Sequence, residues 1–483
     1  MSADTSLQKT WLPLLLCLCA SWAGAAGPAR SIGDPLLARP PELIEGKLLP
    51  GDDEITPCRP GPAVAPKVLS LAEAVDLALC HQPQVQAAWA NVKIQAGQVG
   101  EARAASLPTI NAGATRQSSA SSSDLGSSER SVNTLYATLT WRLLDFGGRS
   151  ANQRAADALL QAASASRDAT VQKTMSSVVG QYYEAMSARA SHQAREKGEA
   201  LSRQMLEIAI RREQRGAGSL QETLQARTYV AKAEMERTRA AGQYKKSLVA
   251  LAVSVGLQGE AEDAPLFALT TEPDQDPIGL EHSLPAWLRA GKQYHPSILA
   301  AQAQVEAARE KLKATRAEGM PTLDLNASKY VNGSPNQPSG LPGERGRVVS
   351  LNLNIPLFEG FARTYKIDGA LGQIDLKEAE LRTVQAQVLG DIATTYVEAM
   401  AALGSLSSSR RLLEVAQQAV DTTRRKYDSG VADITELINM QSALVDAELE
   451  RIRALSEWRS ARLRLLADVG EMGRSAFNTN PRR

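Results

Sequence analysis

Few residues of this 483-residue chain have the types and spacing that enzyme chemistry requires. The four histidines, His81, His192, His282 and His295, are scattered, and no two have the spacing of metal ligands. The sequence has no nucleophile elbow, no zinc-protease motif and no glycine-rich phosphate loop followed by Lys. We therefore expect neither an enzyme nor a cofactor or metal site, and any energy that the protein needs would come from a partner.

The charge is balanced, with 54 Lys and Arg against 53 Asp and Glu, a net charge of +1. Such a chain lacks the basic surface of nucleic-acid-binding proteins, so no nucleic-acid partner is expected. Aromatic residues make up only 4% of the chain. Because aromatic side chains usually dominate globular cores, packing must rest on Ala, Leu, Val and Ile, which suits long helices.

Residues 1–25 have the pattern of an export signal. Lys9 precedes an apolar run from Trp11 to Trp22, and small residues follow up to Ala25. The run is shorter than a membrane span, which favours cleavage over anchoring. Residues 26–68 then form a Pro-rich N-terminal segment.

The four cysteines divide into two pairs. Cys17 and Cys19 lie inside the apolar run, and each follows a leucine, unlike a lipidation site, so we expect an unlipidated mature N-terminus. Cys58 and Cys80 remain, in a compartment that permits disulfides. They are either bridged, which would hold the Pro-rich segment against the first helix, or two free thiols.

An internal repeat organises the rest of the chain. Residues recur at a constant offset of 213 and then 214 positions: Pro83 with Pro296, Pro108 with Pro321, Tyr182 with Tyr396, Gly216 with Gly430, Glu222 with Glu436, and Gly256 with Gly470. Such a register indicates a tandem duplication. It predicts a first repeat over residues 69–256, a linker over 257–282, a second repeat over 283–470 and a C-terminal tail over 471–483.

Each copy predicts the same series of elements: a helix broken at a proline, a β-hairpin, a very long helix and a final helix. The long helices are expected at about 149–212 and 363–427. In the second hairpin Val349, Leu351 and Leu353 alternate with polar residues, the pattern of a strand with one apolar face. Tyr136 interrupts the polar face of the first hairpin. The stretches Ser118–Arg130 and Asn332–Arg347 are predicted to be exposed loops from their composition.

The long helices are predicted to end at Gly216 and Gly430, where a left-handed residue is easiest for glycine. Ser219 and Asp433 then begin the final helices, each with a Glu three residues on, which predicts two capping boxes. At 1.5 Å per residue the long helices span about 100 Å, nearly the length of the two shorter helices end to end. Each copy can therefore form two helical columns that carry a β-hairpin at one end.

Four strands are too few to close a barrel. Two arrangements remain open. Several chains could pool their strands in a membrane, with the apolar face toward lipid, since open edges are not tolerated there. Alternatively, a soluble four-stranded sheet could cap a helical bundle.

Together these features resemble the TolC family of outer-membrane channels, from residue 69 to 470. The motifs that carry the resemblance are the helix starts at Pro83 and Pro296, the helix-to-strand pairs Leu107-Pro108 and Met320-Pro321, the strand-to-helix stretches Leu143–Arg149 and Leu357–Gly360, and the turns at Gly216 and Tyr427–Gly430. The resemblance implies a mainly α protein with a membrane β-barrel: a homotrimer with a twelve-stranded barrel in the outer membrane and a twelve-helix α-barrel across the periplasm. It implies two further partners, a periplasmic adaptor (membrane fusion) protein and an inner-membrane transporter of the ABC type.

The resemblance also assigns roles at the turns between long and final helices, the first tip (Arg215–Ser219) and the second tip (Ser429–Asp433). The periplasmic aperture would be lined by Glu222, Glu436 and Asn439, with Tyr427 helping to hold the closed state. The adaptor would dock on Gly216, Gly218, Ser219, Gly430 and Asp433. This chain departs from the family at Asn439, where an acidic residue is expected, and at Ala432, where an arginine is expected. We therefore expect a less acidic aperture held by fewer charged bonds.

Two kinds of cargo fit a channel of this family, an exported protein or small toxic compounds. The absence of a lipidated N-terminal cysteine favours type I secretion of a protein, such as a toxin with calcium-binding repeats. Within the family the chain is similar to the outer-membrane components of adenylate cyclase toxin exporters. The alternatives are multidrug efflux and a periplasmic coiled-coil scaffold.

Overall fold

The computed structural model describes residues 36, 46–47, 56–58, 67–123, 126–257, 267–270, 279–280, 282–331 and 345–473. The predicted signal peptide lies outside these residues. So do most of the N-terminal segment, most of the linker, and the tail beyond residue 473.

The described part of the chain alternates helices and strands in a twice-repeated order. The helices are α1 (Leu71–His81), α2 (Pro83–Ala104), α3 (Gly148–Gln214), α4 (Leu220–Ser254), α5 (Leu284–Tyr294), α6 (Pro296–Ala317), α7 (Ala362–Asp428) and α8 (Ile434–Val469). The strands are β1 (Gly46–Lys47), β2 (Thr56–Pro57), β3 (Val68–Leu69), β4 (Thr109–Ser123), β5 (Gly126–Leu144), β6 (Ala268–Leu269), β7 (Thr322–Val331) and β8 (Arg345–Asn354). Among the described helices, none is both long and apolar enough to cross a membrane.

The predicted long helices are confirmed. α3 and α7 have 67 residues each, a length of about 100 Å. Pro83 and Pro296 occupy the starts of α2 and α6, where the missing N–H of proline costs no hydrogen bond. α2 and α4 pack on α3, and α6 and α8 pack on α7. Because α6 and α8 also pack on α3, the helices of the two repeats form one bundle.

The four long strands form one antiparallel sheet in the order β4-β5-β7-β8. The apolar residues predicted to share a face remain exposed: the exposed fraction is 59% for Leu135, 71% for Val349 and 61% for Leu353. Within the described strands, β4 and β8 each have a neighbour on one side only. The sheet therefore has an uncovered apolar face and two open edges.

The predicted loop over Ser118–Arg130 is wrong. β4 continues to Ser123 and β5 begins at Gly126, and the two strands stay paired from Thr109–Thr140 to Ser123–Gly126. Serine-rich composition argues against a packed core, but backbone pairing needs no apolar face. At the second hairpin, β8 begins at Arg345, so the last three residues of the predicted loop are also strand, and residues 332–344 lie outside the described part.

Tyr136, which interrupts the polar face, belongs to a row of four residues across the sheet. Gly113, Tyr136, Tyr330 and Gly346 lie opposite one another on β4, β5, β7 and β8. Each tyrosine ring covers the neighbouring glycine, because a Cβ on Gly113 would lie 2.6 Å from Tyr136 and one on Gly346 would lie 2.4 Å from Tyr330. A one-residue slip would put a side chain under each ring, so this row fixes the register.

Each hairpin returns to its long helix through two consecutive left-handed residues, one Phe and one Gly. The order is Phe146 (φ 50°) then Gly147 (φ 90°) in the first repeat, and Gly360 (φ 60°) then Phe361 (φ 63°) in the second. The first turn is held by Asp145, whose carboxylate accepts hydrogen bonds from the backbone N–H of Gly147 at 3.3 Å and of Arg149 at 2.7 Å. The backbone path is thus duplicated although the residue order is not.

The largest buried cluster lies midway along the long helices, where α1, α3 and α4 meet. Its members include Leu69, Val75, Met175, Tyr182 and Leu251. β3 and β6 pair in parallel beside it. The two alternatives for Cys58 and Cys80 are resolved in favour of a disulfide, which joins the residue after β2 to α1.

Candidate functional site at the helix tips

The first tip ends α3 with two backbone hydrogen bonds around Gly216, which is left-handed at φ 70°. The N–H of Ala217 donates to the carbonyl of Arg212 at 2.9 Å, and that of Gly216 donates to Glu213 at 2.9 Å. This is the Schellman arrangement that satisfies the last carbonyls of a helix. The predicted glycine end of α3 is confirmed.

The second tip repeats the arrangement. Gly430 has φ 77°, the N–H of Val431 donates to the carbonyl of Lys426 at 2.8 Å, and that of Gly430 donates to Tyr427 at 3.1 Å. Both tips lie at the far ends of α3 and α7 from the sheet, about 100 Å away.

The predicted capping boxes are present only in half. The Ser219 hydroxyl accepts from the N–H of Glu222 at 3.2 Å, and the Asp433 carboxylate accepts from that of Glu436 at 2.8 Å. Among the described helix starts, the reciprocal bond is found at Ser70, whose backbone N–H donates to the Glu73 carboxylate. The carboxylates of Glu222 and Glu436 therefore do not accept a hydrogen bond from the backbone N–H of their cap residues.

Glu222 turns inward toward the first tip. Its Oε2 atom is buried without a hydrogen-bond partner in the described structure. Gly218 lies against it, since a Cβ on Gly218 would come within 3.2 Å of this oxygen and 3.1 Å of the Arg212 Cβ. A side chain at position 218 would require Glu222 or Arg212 to shift slightly.

Tyr427 is 1% exposed and lies in an apolar cluster with Met205, Ala432, Ile434 and Leu437. Ala432, the position where the family resemblance implies an arginine, is therefore a buried packing residue. The Tyr427 hydroxyl is buried beside the Arg212 guanidinium, which influences it, but no contact in the described residues has full hydrogen-bond geometry. Burial raises the pKa of this phenol above its ordinary value, while Arg212 lowers it and Glu222 raises it.

Arg212 is the residue of the site that the sequence did not reveal. Its guanidinium carbon lies 4.6 Å from the centre of the Tyr427 ring, and its Nη1 donates to the Tyr427 carbonyl at 2.9 Å. The structure thus brings Tyr427 of the second repeat together with Glu222 of the first and adds Arg212, which also belongs to the first repeat. The sequence places Arg212, a basic residue, in the last turn of α3, but it does not indicate that Arg212 contacts Tyr427. Only the fold shows this contact.

Glu436 and Asn439 are exposed on α8, apart from this cluster. A contact between Thr435 Oγ1 and Gln225 Oε1, 3.1 Å apart, joins α8 to α4 beside them. In the part of the chain that the structure describes, no group of three or more His, Cys, Asp or Glu side chains could hold a metal ion. The site can form hydrogen bonds and present charge, and no group in it is arranged for bond chemistry.

Comparison with known proteins identifies the class. The outer membrane channel CmeC of Campylobacter jejuni shares the fold, with a TM-score of 0.72 at 15% identity over 83% of this chain and 86% of that one. Protein CyaE of Bordetella pertussis is 36% identical over 467 residues, 96% of each chain. Proteases secretion protein PrtF of Dickeya chrysanthemi is 22% identical, over 84% of this chain and 89% of that one. The fold is therefore that of an outer-membrane channel, and the sequence is similar to these relatives over most of its length.

Residues 74–257 and 287–471 each match the model of the outer membrane efflux protein family. The chain belongs to this family, and the resemblance drawn from its motifs is confirmed. It is a protein of the cell outer membrane that extends into the periplasm.

Replacing Gly430 by Ala should destabilise the second tip by about 1 kcal/mol, because a Cβ strains the left-handed backbone. Gly404, inside α7, is the matched control, since a Cβ there meets nothing within 4 Å. Gly404→Ala should stabilise its helix by about 0.5–1 kcal/mol. The midpoint of thermal unfolding, followed by helical circular dichroism in detergent, should shift in opposite directions. Shifts of the same sign and size would contradict the assigned backbone role.

Proposed function

We propose that three copies of this chain form a passive duct from the periplasm through the outer membrane, as the channel component of type I secretion. The observation that carries the proposal is the sheet with two open edges and an uncovered apolar face, mounted on helices of 67 residues. A backbone edge cannot face lipid, because its N–H and C=O groups would lack partners.

Strand direction supports closure by identical copies. β8 runs antiparallel to β4 in the sheet order, so β8 of one chain can pair antiparallel with β4 of the next. Two copies would give eight strands, a barrel whose interior side chains fill. Three copies give twelve strands and leave room for a passage, in agreement with the homotrimer that the family resemblance implies. Each chain would likewise contribute four columns to a twelve-helix barrel.

The exposed strand residues fit lipid on one face and water on the other. Leu135, Val349, Leu351 and Leu353 would contact lipid, and the alternate polar residues would face the lumen. The tips, at the opposite end of the helices, would form the periplasmic aperture. Glu222, Glu436, Asn439 and Tyr427 would lie around it, and the turns with Gly216, Gly218, Ser219, Gly430 and Asp433 would receive the adaptor.

The duct is proposed to do no chemistry itself. The sequence offers no nucleotide-binding loop, so an inner-membrane transporter, of the ABC type, would supply energy through the adaptor. The relatives are channel and transport proteins rather than enzymes.

The proposed cargo is a protein, and a toxin in particular. Two relatives carry names that state protein secretion, the proteases secretion protein PrtF and the alkaline protease secretion protein AprF, at 22% and 24% identity. The sequence resemblance to adenylate cyclase toxin exporters points the same way. Efflux of small compounds is the second candidate, because relatives named for efflux or export, BepC and OpmQ, match at 26% and 27%.

Charged substitutions on the two faces of β8 test the duct. Leu351→Arg puts a charge on the lipid face and should cost about 2–4 kcal/mol in the membrane, so the protein should leave the outer-membrane fraction. Its neighbour Asn352→Arg should keep the trimer and shift the single-channel selectivity toward anions in planar bilayers. If Asn352→Arg abolished conductance while Leu351→Arg did not, the proposed orientation of the two strand faces would be ruled out. A wild-type protein that purified as a monomer without detergent would also rule it out.

A deletion strain separates the two cargo classes. We expect one or more proteins to disappear from the culture medium without accumulating in the periplasm, while drug susceptibility stays unchanged. Proteomics of the medium and inhibitory concentrations of a drug panel are the measurements, with the wild-type gene and Leu351→Arg as the complementing pair. Unchanged secretion together with higher drug sensitivity would instead assign the duct to efflux.

A further inference from the structure

The shorter helices α4 and α2 of the first repeat meet where α1 ends. α4 ends at Ser254 and α2 begins at Pro83. Gln82, directly before α2, donates from its side-chain amide to the carbonyls of Val253 at 3.3 Å and Ser254 at 2.9 Å. Carbonyls that the end of α4 leaves open are thus satisfied by the start of α2. This contact is termed the first joint.

The corresponding joint of the second repeat is built differently. His295 is the counterpart of Gln82 at the offset of 213 residues, and its Nδ1 accepts from the backbone N–H of Ser297 at 3.1 Å. His295 therefore caps its own helix, whereas Gln82 spans the joint. Gln293, the counterpart of Cys80, is exposed. A cysteine at the joint is thus a feature of the first repeat only.

The N-terminal strap, which comprises the described residues 36, 46–47 and 56–58, is held near both ends of α2. At the end near the sheet, Arg103 in the last turn of α2 donates to the carbonyl of Leu36 at 2.8 Å. At the first joint, Cys58 is bridged to Cys80. Because α2 has 22 residues, these two attachments lie about 33 Å apart. The strap therefore connects the sheet end of the helices to the first joint.

The non-covalent contacts of the strap at the first joint are small. β1 and β2 pair over two residues each, and β1 packs on α1. A single two-stranded pairing is at best marginally stable in water. The disulfide, in contrast, keeps Cys58 and Cys80 together when the surrounding contacts open, and it closes a loop across a sequence separation of 22 residues. The attachment of the strap to the joint therefore depends on the bridge.

We propose that Cys58 and Cys80 are a substrate site for a periplasmic thiol oxidase, an enzyme that carries a reactive disulfide of its own, and that the bridge locks the N-terminal strap onto the first joint. The chain belongs to the periplasm and outer membrane, where disulfides form and persist. Both cysteines are partly exposed, which leaves the pair within reach of an enzyme and of a soluble reductant. The proposal needs only this location, so it stands apart from the proposed duct.

The reaction is a two-step thiol–disulfide exchange. The thiolate of one cysteine attacks the disulfide of the oxidase, which forms a mixed disulfide and releases one thiolate of the enzyme. The thiolate of the second cysteine then attacks the chain's own sulfur in the mixed disulfide, so that the Cys58–Cys80 bond forms and the oxidase leaves as a dithiol. Two electrons pass from the chain to the oxidase. The two protons that the chain's thiols lose are balanced by the two that the enzyme's thiols take up.

The state of the thiols in cells tests the role of the oxidase. Cells are quenched with acid, free thiols are alkylated, and the peptides that contain Cys58 and Cys80 are quantified by mass spectrometry with and without reduction. We expect bridged peptides in the wild-type strain and alkylated peptides in a strain that lacks its periplasmic thiol oxidase. Alkylated peptides in the wild type, or a complete bridge without the oxidase, would overturn the proposal.

Proteolysis of the purified protein in detergent tests the lock. Trypsin can cleave after Lys47 in β1 and after Arg215, which is exposed at the first tip and serves as the internal control. Reduction and alkylation of the folded protein should speed cleavage after Lys47 about tenfold, because a strap without its bridge opens more often. Cleavage after Arg215 should not change. Equal rates after Lys47 in the bridged and reduced protein would overturn the proposed lock.

Two variants separate the bridge from the joint. Cys58→Ser combined with Cys80→Ser should be cleaved after Lys47 like the reduced wild type. Gln82→Ala removes the amide that spans the joint but keeps the bridge, so its cleavage should match that of the bridged wild type. If Gln82→Ala were cleaved as fast as the double cysteine variant, the strap would depend on the joint rather than on the bridge, and the proposal would be wrong. The reduced wild type needs no refolding, so the test does not depend on how well the variants fold.

Discussion

The unpaired backbone of two edge strands is the constraint on which the structure depends. In a hydrocarbon layer each free N–H or C=O group costs several kcal/mol, so β4 and β8 would need partners there that the described strands of one chain do not provide. In the proposed duct repeated copies would supply them, and the number of copies would set the width of the barrel. The helices continue from the strands through the duplicated left-handed turns, so the same closure would arrange the helical columns into one wall.

The two repeats share a backbone plan and differ in what holds their helices together. α3 and α4 are joined by ion pairs around the buried carboxylate of Glu199, which contacts Arg203 at 2.6 Å and Arg237 at 2.5 Å. The equivalent stretch of α7 and α8 packs through small apolar side chains, among them Val420, Leu444 and Ala447. Apolar packing is less directional than paired charges. Specific polar contacts between α7 and α8 lie farther from the tip, where Arg451 donates to the Leu406 carbonyl at 3.0 Å and Thr395 donates to Asp468 at 2.6 Å.

The sequence predicted what depends on local pattern. Helix lengths followed from apolar periodicity, helix ends from Gly216 and Gly430, and the duplication from a constant offset. Prediction from the sequence failed where contacting residues are far apart in the chain, and where composition alone suggested a loop. The serines of β4 carry no apolar alternation, yet their backbones pair with β5. Arg212 and Tyr427 are 215 residues apart in the chain. The rings of Tyr136 and Tyr330 cover Gly113 and Gly346 only when the strands pair in this register.

Cross-linking of strand edges tests the central claim most directly. Cysteines introduced one at a time along residues 110–115 of β4 would be combined with cysteines along residues 349–353 of β8, then oxidised in outer-membrane vesicles. The account predicts that matched pairs link neighbouring chains and that the products stop at three chains. A β4–β8 bond within one chain, or products that stop at two chains or continue beyond three, would contradict it.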